Sequence, residues 1–245
     1  MAGPSDEVST KGRPIGPRKG VYSATMVRIA CSGFPVPVSR YWGELAAVEI
    51  ADTELGMPGA GTVRRWLREA PEGFVFTVLG PAAVGEAGFR LDAALRERLD
   101  ALRDLSERLG ARAVVFRAPE SFKATPQRRT ALKRFVKEMS KGFPPLVLDL
   151  PGWKPAHVAR AVEGNAVVAY DPLREEPPPH HADLAYLRLP GPAGRRSRYD
   201  EEALARLAAH CRALELEQLF VVFRNIDMLV NAKHLLTLLE DAPEA

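Results

Sequence analysis

Residues 46–81 read AAVEIADTELGMPGAGTVRRWLREAPEGFVFTVLGP, and this stretch decides the fold. An apolar run that contains Glu49 is followed by a loop rich in Gly and Pro. The next segment has apolar residues at helical spacing, namely Val63, Trp66 and Leu67. A second apolar run then covers residues 74–78. This order of strand, helix and strand is one βαβ unit, so it predicts a parallel α/β protein whose chemistry lies where the strands end.

The same pattern recurs along the rest of the chain. Further short apolar runs cover residues 26–31, 113–117, 146–150, 166–170, 184–189 and 218–224. Together with the two runs above they predict a TIM-like (β/α)8 barrel. The segment 171–183 is rich in Pro, Glu and His, so we expect one degenerate helix between strands six and seven. A doubly wound sheet is the alternative, but no GxGxxG motif follows the first strand.

Composition and charge restrict the class of protein. Residues 1–25 hold little that is apolar, which predicts a disordered basic leader before a single domain at residues 26–245. The net charge of the whole chain is only +3, which argues against nucleic-acid binding except for weak contacts through the leader. The 2 cysteines lack metal-binding spacing, and no apolar run approaches the roughly 20 residues that span a bilayer. We therefore expect a soluble, cytoplasmic protein without a membrane partner.

Polar side chains at the strand ends form the candidate site, because a charge inside an apolar run is costly to bury unless it is paired. We assign acid-base roles to the carboxylates Glu49, Asp149 and Asp171. We assign ligand-binding roles to five further residues: Arg117, Arg188, Arg195, Arg196 and Asn225. An internal ion-pair network, for example Glu49 or Asp149 with Arg117 or Arg188, explains the same charges without any ligand.

The loop after strand seven, residues 190–199, reads PGPAGRRSRY and supplies Arg195 and Arg196. TIM barrels frequently bind phosphate in the loops after their last two strands, where backbone N–H groups face an anion. The loop therefore predicts a small anionic ligand, for example a phosphorylated metabolite. The alternative is a solvated arginine-rich loop that binds nothing.

Histidines give little support for a metal centre. His180 and His181 precede strand seven, which places them on the face opposite to the predicted site. We therefore assign no metal ligand, although an oxygen-only magnesium or manganese site on Glu49, Asp149 and Asp171 stays open. No P-loop and no nucleophile elbow are present, and the sequence identifies no cofactor.

A series of motifs resembles the YecE-like family, a domain of unknown function (number 72) with a TIM-barrel-like fold. The resemblance covers nearly everything after Met26. The motifs are IACSGF at 29–34, VEIA at 48–51, the segment 66–81, VFRAPESF at 115–122, YLRLPG at 186–191, and FRN at 223–225 with Asn231 and Ala232. The resemblance implies the barrel fold, and the family name leaves any activity open.

The chain departs from this family pattern at polar positions. The Asn, Lys, Gln and His that are usual in the family are replaced here by Ala51, Leu79, Arg117 and Pro190. A Glu-Phe-Arg sequence in strand five is reduced to Asp149 and Leu150. The polar residues that are retained are Glu49, Arg188, Asn225 and Asp171. The resemblance therefore implies a divergent active site.

Two functional hypotheses follow. The first is a barrel that binds a small anionic ligand at its C-terminal rim, held by the arginines, with Glu49 or Asp149 as general base. Its enzymatic form is a hydrolase or isomerase of phosphorylated metabolites, and the sequence leaves catalysis open. The second is a catalytically degenerate binding or scaffolding module whose closed core is filled by Leu79, Pro190 and Arg117. An open cavity with converging carboxylates distinguishes the first from the second.

Overall fold

The chain folds into a ring of parallel strands surrounded by helices. A computed structural model describes residues 25–162, 164–178 and 183–241. The strands are β1 (Met26–Ser32), β2 (Ala47–Ile50), β3 (Val75–Leu79), β4 (Val114–Arg117), β5 (Leu146–Asp149), β6 (Val167–Ala169), β7 (Leu184–Leu189) and β8 (Gln218–Phe223). Each pair of neighbouring strands is parallel, as the βαβ unit predicts.

Helices cover the outside of the ring. They are α1 (Val38–Tyr41), α2 (Ala60–Glu69), α3 (Ala82–Glu86), α4 (Ala93–Leu109), α5 (Pro126–Met139), α6 (Pro155–Val162), α7 (Glu201–Ala213) and α8 (Met228–Glu240), and a 3-10 turn, Asp52–Glu54, follows β2. The sequence predicts α4 from Leu91, but the carboxylate of Asp92 accepts a hydrogen bond from the Leu95 amide at 2.8 Å and caps the helix. The helix ends at Gly110, whose φ of 58° suits glycine.

The ring closes between β6 and β7. Strands are hydrogen-bonded in the order β6-β5-β4-β3-β2-β1-β8-β7, and an isolated bridge joins Tyr170 to Leu187. The Tyr170 amide donates to the Tyr186 carbonyl at 3.2 Å, and the Arg188 amide donates to the Tyr170 carbonyl at 3.0 Å. This closure confirms the predicted TIM-like (β/α)8 barrel and excludes the doubly wound sheet.

The connection from β6 to β7 is irregular. Its described residues, 170–178 and 183, contain a turn and no helix, which confirms the degenerate helix over that part of the chain. His180 and His181, together with residues 1–24 of the predicted leader, lie outside the described residues. Among the helices that the structure describes, none combines the length and the apolarity that crossing a membrane requires.

Two apolar layers hold the barrel together. The interior is filled by side chains of contrasting size: Ala30, Ala47, Val75, Leu79, Ala113, Val115, Val147, Ala169, Leu184, Tyr186, Phe220 and Val222. Strand residues of the opposite parity pack against the helices. Because successive side chains alternate, the inward position that follows this layer is polar on seven strands: Ser32 after Ala30, Glu49 after Ala47, Arg117 after Val115, Asp149 after Val147, Asp171 after Ala169, Arg188 after Tyr186 and Arg224 after Val222.

A short helix, α3, lies against the end of β4, where the sequence predicts only a loop of small residues. Gly85 of α3 approaches so closely that a Cβ atom there would lie 2.0 Å from the carbonyl oxygen of Arg117. Any larger residue would push the helix away from the strand. The helix therefore fixes the backbone of Arg117 at the rim of the barrel.

Candidate active site

The floor of the site is a bidentate ion pair between Glu49 and Arg188. The Nε atom of Arg188 donates to Oε2 of Glu49 at 3.0 Å, and Nη2 donates to Oε1 at 2.6 Å. The two side chains are 0% and 3% exposed. A planar guanidinium matches a carboxylate in this geometry, so the pair is held in one orientation.

Hydroxyl groups complete the surroundings of Glu49. Ser32 Oγ donates to Oε1 at 2.6 Å, and the Tyr186 hydroxyl donates to Oε2 at 3.0 Å. Thr77 Oγ1 lies 2.9 Å from that tyrosine oxygen. Burial opposes the charged form of Glu49, but Arg188 and the hydrogen bonds outweigh this effect and hold its pKa below the ordinary value. Because Glu49 is fully buried among these partners, its carboxylate orients Arg188 and does not face the cavity.

Asp149 connects the floor to the solvent. The Nη1 atom of Arg188 donates to Oδ2 of Asp149 at 2.5 Å, and Nε of Arg117 lies 3.5 Å from the same oxygen. The side chains of Asp149 and Arg117 are 19% and 37% exposed. Within the described residues, Nε of Arg117 makes no hydrogen bond. The charge of Arg117 is therefore balanced in part by Asp149, while the side chain as a whole stays partly exposed.

Arg224, which follows β8, is a buried cation without a carboxylate partner. The residue is 5% exposed. Its side chain forms no ion pair with any described residue, and its Nε atom has no hydrogen-bond partner among them. Burial and, second, the nearby charge of Arg188 lower the pKa of Arg224 to about 10. A buried charge is costly until it is paired, so Arg224 is the group in this site that most needs an anion.

A cavity of about 570 Å³ opens above this floor. Its charged lining comprises six basic and four acidic residues, Arg117, Lys123, Arg174, Arg188, Arg195 and Arg224 against Glu120, Asp149, Asp171 and Glu175. Small-molecule sites have volumes of roughly 300–1,000 Å³, so the cavity has the size of a metabolite site. The closed-core hypothesis predicts that Leu79, Pro190 and Arg117 fill this space. Leu79 is buried in the interior below, whereas Pro190 and Arg117 line an open cavity.

One wall of the cavity carries two carboxyl groups, Asp171 and Glu175. Oδ1 of Asp171 accepts a hydrogen bond from the Leu173 amide at 3.0 Å, Oδ2 is buried, and the Tyr199 hydroxyl interacts with this carboxyl group. Oε2 of Glu175 accepts from the Asp171 amide at 3.3 Å. Burial raises the pKa of both groups, and in Glu175 the charges of Asp149 and Asp171 add to the effect. A carboxyl group with a raised pKa is suited to acid-base catalysis.

The loop after β7 is held at its base by hydrogen bonds. The Gly191 amide donates to the Tyr199 hydroxyl at 2.9 Å, and Ser197 Oγ donates to the Gly194 carbonyl at 2.6 Å. Gly191 has a φ of 99°, and a Cβ atom there would lie 2.4 Å from the Gly194 carbonyl oxygen. Only glycine fits this turn, so the loop has a defined path at the rim.

The structure brings most of the predicted site residues together. Five of them line the cavity: Arg117, Asp149, Asp171, Arg188 and Arg195. Glu49 lies beneath them, and Arg196 is exposed outside the lining. Asn225 is 1% exposed and donates from Nδ2 to the Ser197 carbonyl at 3.2 Å and to Oδ1 of Asn231 at 2.7 Å. Asn225 thus connects the loop to α8 and does not contact the cavity.

Five charged residues of the cavity are not among the site residues that the sequence predicts: Glu120, Lys123, Arg174, Glu175 and Arg224. A signal exists for Arg224, because it shares the inward parity of Phe220 and Val222 on the same strand. Asn225 has the opposite parity, so alternation favours Arg224 over its neighbour. The other four residues come from loops, where no sequence period indicates which side chains turn inward.

No cluster suited to a metal ion occurs in the described ranges. Within residues 25–162, 164–178 and 183–241, no three His, Cys, Asp or Glu side chains are placed to hold one. Glu49 is engaged by Arg188, so the oxygen-only site on Glu49, Asp149 and Asp171 finds no support in the geometry. His180 and His181 are not among the described residues.

Comparisons with known proteins agree with this fold. A family model described as "Protein of unknown function DUF72" matches residues 37–245. A solved DUF72 family protein from Enterococcus faecalis superposes with a TM-score of 0.71 at 19% identity, covering 89% of this chain and 99% of that chain. No curated protein matches the sequence.

Two further solved structures are similar. A GH18 chitinase from Pseudoalteromonas aurantia has a TM-score of 0.56 at 11% identity, covering 90% of this chain and 100% of the other. A D-tagatose 3-epimerase-like protein has a TM-score of 0.54 at 14% identity, covering 87% and 97%. At such low identities the likeness concerns the fold alone.

Proposed function

The chain belongs to the DUF72 family of proteins of unknown function, and from this premise we propose that its barrel binds a small organic anion in the cavity at the C-terminal rim. The ligand carries a phosphate or carboxylate group at one end and hydroxyl groups at the other. The observation that carries the proposal is Arg224, a buried cation at the cavity that forms no ion pair with a described carboxylate and is offset only in part by the charges of Glu49 and Asp149. A bound anion would supply the missing partner.

Two further cations support the anionic end of the ligand. The partly exposed side chain of Arg117 lines the cavity, and Arg195 lines the same space from the loop after β7. Arg188 is already paired with Glu49 and Asp149, so its role is to hold the floor and to add positive potential. Arginine binds phosphate and carboxylate through two parallel hydrogen bonds, so Arg117, Arg195 and Arg224 suit the anionic end of the ligand.

The carboxyl groups of Asp171 and Glu175 support the hydroxyl end. Both line the same cavity, and the Asp171 amide donates to Glu175 at 3.3 Å, so the two lie side by side. A hydroxyl group of the ligand would donate to one of these carboxyl groups, as sugar hydroxyls commonly do. A phosphorylated sugar or polyol combines both ends in a molecule of the right size for about 570 Å³.

Catalysis, if the site performs it, falls to Asp149 and Asp171. Asp171 and Glu175 have raised pKa values through burial, whereas Asp149 is paired with two arginines. Carboxyl groups in such different surroundings can divide the roles of acid and base, as in a hydrolase or an isomerase. Glu49 acts through Arg188 and is a positioning residue in this proposal.

Thermal denaturation with and without ligand tests the proposal. The probes are inorganic phosphate, glycerol phosphate and sugar phosphates of three to six carbons, each at millimolar concentration. At a concentration 100 times the Kd a ligand adds about 2.7 kcal/mol of stability, which raises Tm by several degrees. We expect one or more sugar phosphates to raise Tm of the wild type and of the matched control Arg196→Met, but not of Arg224→Met. A panel without any response, or a response that Arg224→Met retains, would refute the proposal.

A further inference from the structure

One side of the barrel is strongly basic although the whole chain is almost neutral. Residues 118–162, from the end of β4 to the end of α6, hold nine Lys or Arg residues against three acidic ones, a net charge of +6. The whole chain has a net charge of only +3, so the remaining residues sum to −3. The overall balance therefore conceals a segregation of charge between two parts of the molecule.

The positive charge of this segment is concentrated on the outer face of α5. The inner face of the helix packs into the core through Leu132, Phe135, Val136 and Met139. Arg134 and Lys137 are exposed on the outer face, and Lys141 follows in the next turn. These three side chains form no ion pair with a described residue. The one acid of the helix, Glu138, is engaged by Arg96 of α4.

Neighbouring elements extend the basic face. Helix α6 packs beside α5, and its flanking residue Lys154 and its own Arg160 are exposed. Lys123, which precedes α5, is exposed and also lines the cavity described above. We call the surface formed by Arg134, Lys137, Lys141, Lys154 and Arg160 the α5–α6 basic face.

From this arrangement we propose that the α5–α6 basic face binds the phosphate backbone of nucleic acid without sequence preference. Helix α5 has 14 residues, so it is about 21 Å long and spans about six phosphates along one strand of DNA. Contacts by exposed Lys and Arg side chains to phosphate give affinity and position but carry no sequence information. This site is independent of the cavity and of the ligand proposed for it.

A membrane surface fits the same face less well. A peripheral membrane helix buries apolar side chains among the lipids beside its basic residues. The large apolar side chains that the described residues expose are Met26, Leu55, Met57, Leu67, Ile226 and Val230. None of these lies in residues 118–162. The basic face therefore offers charge without the apolar residues that membrane insertion needs.

Fluorescence anisotropy with a labelled 20-base-pair DNA duplex tests this inference on the full chain at about 50 mM salt. We expect micromolar affinity, equal for duplexes of unrelated sequence, that falls steeply as salt is added. The triple variant Arg134→Gln, Lys137→Gln, Lys141→Gln should bind at least tenfold more weakly. It should also lower the slope of log affinity against log salt by about 2–3, because each lost phosphate contact removes about 0.9.

Two matched variants control for net charge and for the leader. Arg64→Gln, Arg98→Gln, Arg108→Gln removes three exposed charges from α2 and α4 and should bind like the wild type. Lys11→Ser, Arg13→Ser, Arg18→Ser, Lys19→Ser removes the basic residues of the first 25 and should keep most of the affinity. The inference is overturned if the duplex does not bind, if the α2 and α4 variant loses as much affinity as the α5 variant, or if only the leader variant loses binding. Binding to vesicles that contain phosphatidylserine but not to the duplex would likewise overturn it.

Discussion

Arg188 and Arg224 are both buried arginines that point into the barrel from neighbouring strands, but only Arg188 forms ion pairs with carboxylates of the described residues. Arg188 donates to two carboxylates, Glu49 and Asp149. In the ladder between the two strands Arg188 lies opposite Val222, so Arg224 lies one inward layer nearer to the mouth. There it forms no ion pair with a described carboxylate, and the charges of Glu49 and Asp149 offset its burial only in part.

The pKa shifts of the two arginines reflect this difference. Burial disfavours the charge of both side chains. In Arg188 the carboxylates of Glu49 and Asp149 outweigh burial and raise its pKa, whereas in Arg224 burial and the charge of Arg188 lower the pKa to about 10. Arg188 is therefore paired within the protein, and in the proposed function a ligand pairs with Arg224. Position along a strand, rather than burial alone, separates the paired arginine from the unpaired one.

The largest effect is expected from Arg188→Met. This change leaves the buried charge of Glu49 without its ion-pair partner and leaves Asp149 with Arg117 alone. We therefore expect a loss of about 3–5 kcal/mol in the free energy of unfolding, measured with urea. The exposed control Arg64→Met should change stability by less than about 0.5 kcal/mol. The double variant Glu49→Leu with Arg188→Met should be less destabilised than the sum of the single changes. A loss below about 1 kcal/mol for Arg188→Met would mean that the ion pair between Glu49 and Arg188 is not needed for the stability of the fold.

Arg224→Met is expected to raise the free energy of unfolding, whereas Arg188→Met lowers it. Removal of an unpaired buried charge relieves its desolvation, so this variant should be more stable than the wild type by about 1 kcal/mol in the absence of ligand. The gain should appear as a higher urea midpoint with an unchanged m-value. A clear loss of stability would show that Arg224 has a structural partner, and the contrast with Arg188 would then fail.

Asp171→Asn should change how stability depends on pH. Because burial raises the pKa of Asp171 in the folded protein, the folded state holds this proton more tightly than the unfolded state. Its contribution to stability is therefore complete below the unfolded pKa of about 4 and is lost as the pH rises through the folded pKa. Relative to the wild type, Asp171→Asn should gain stability as the pH rises from 4 to 8, because the amide does not titrate. Asp104→Asn, at an exposed position on α4, should follow the wild-type curve, and a parallel curve for Asp171→Asn would contradict the assignment.

The smallest effect separates two adjacent arginines of the loop after β7. Arg195 lines the cavity and Arg196 does not, although both are exposed. With a ligand found in the thermal panel, Arg195→Met should weaken binding about two- to fivefold in calorimetric titration, as expected for an exposed charge–anion contact. Arg196→Met should not change the affinity. Equal losses of affinity in the two variants would indicate that both arginines act only through the positive electrostatic potential of the loop, without a contact between Arg195 and the ligand.

The fold could be predicted from the sequence because buried parallel strands are short apolar runs and the helices between them have a regular period. The run around Glu49 and its following helix already set the βαβ unit that the whole ring repeats. Helix starts were less accurate, since the exact first residue of α4 depends on the cap at Asp92 rather than on apolar spacing.

The residues that line the candidate site could be predicted where they lie at strand ends, and could not be predicted where they lie in loops. Arg117, Asp149 and Arg188 were identified from charges within apolar strands, and the structure places them at one cavity. Asn225, which the sequence predicts as a ligand-binding residue, follows the right strand but points away from the cavity. Alternation along the strand gives the inward position to Arg224. Lys123 and Glu175 come from loops whose path depends on tertiary contacts, so local sequence carries no signal for them.

The central claim is that Arg224 forms no ion pair with a described residue because its partner is an anion that binds in the cavity. NMR of the arginine Nε–Hε groups, with the Arg224 resonance assigned by its absence in Arg224→Met, measures this directly. On titration with inorganic phosphate or with a sugar phosphate from the panel, we expect the Arg224 resonance to shift and saturate while that of Arg196 stays in place. A resonance of Arg224 that does not respond to any of these anions, or that moves no more than Arg196, would contradict the account.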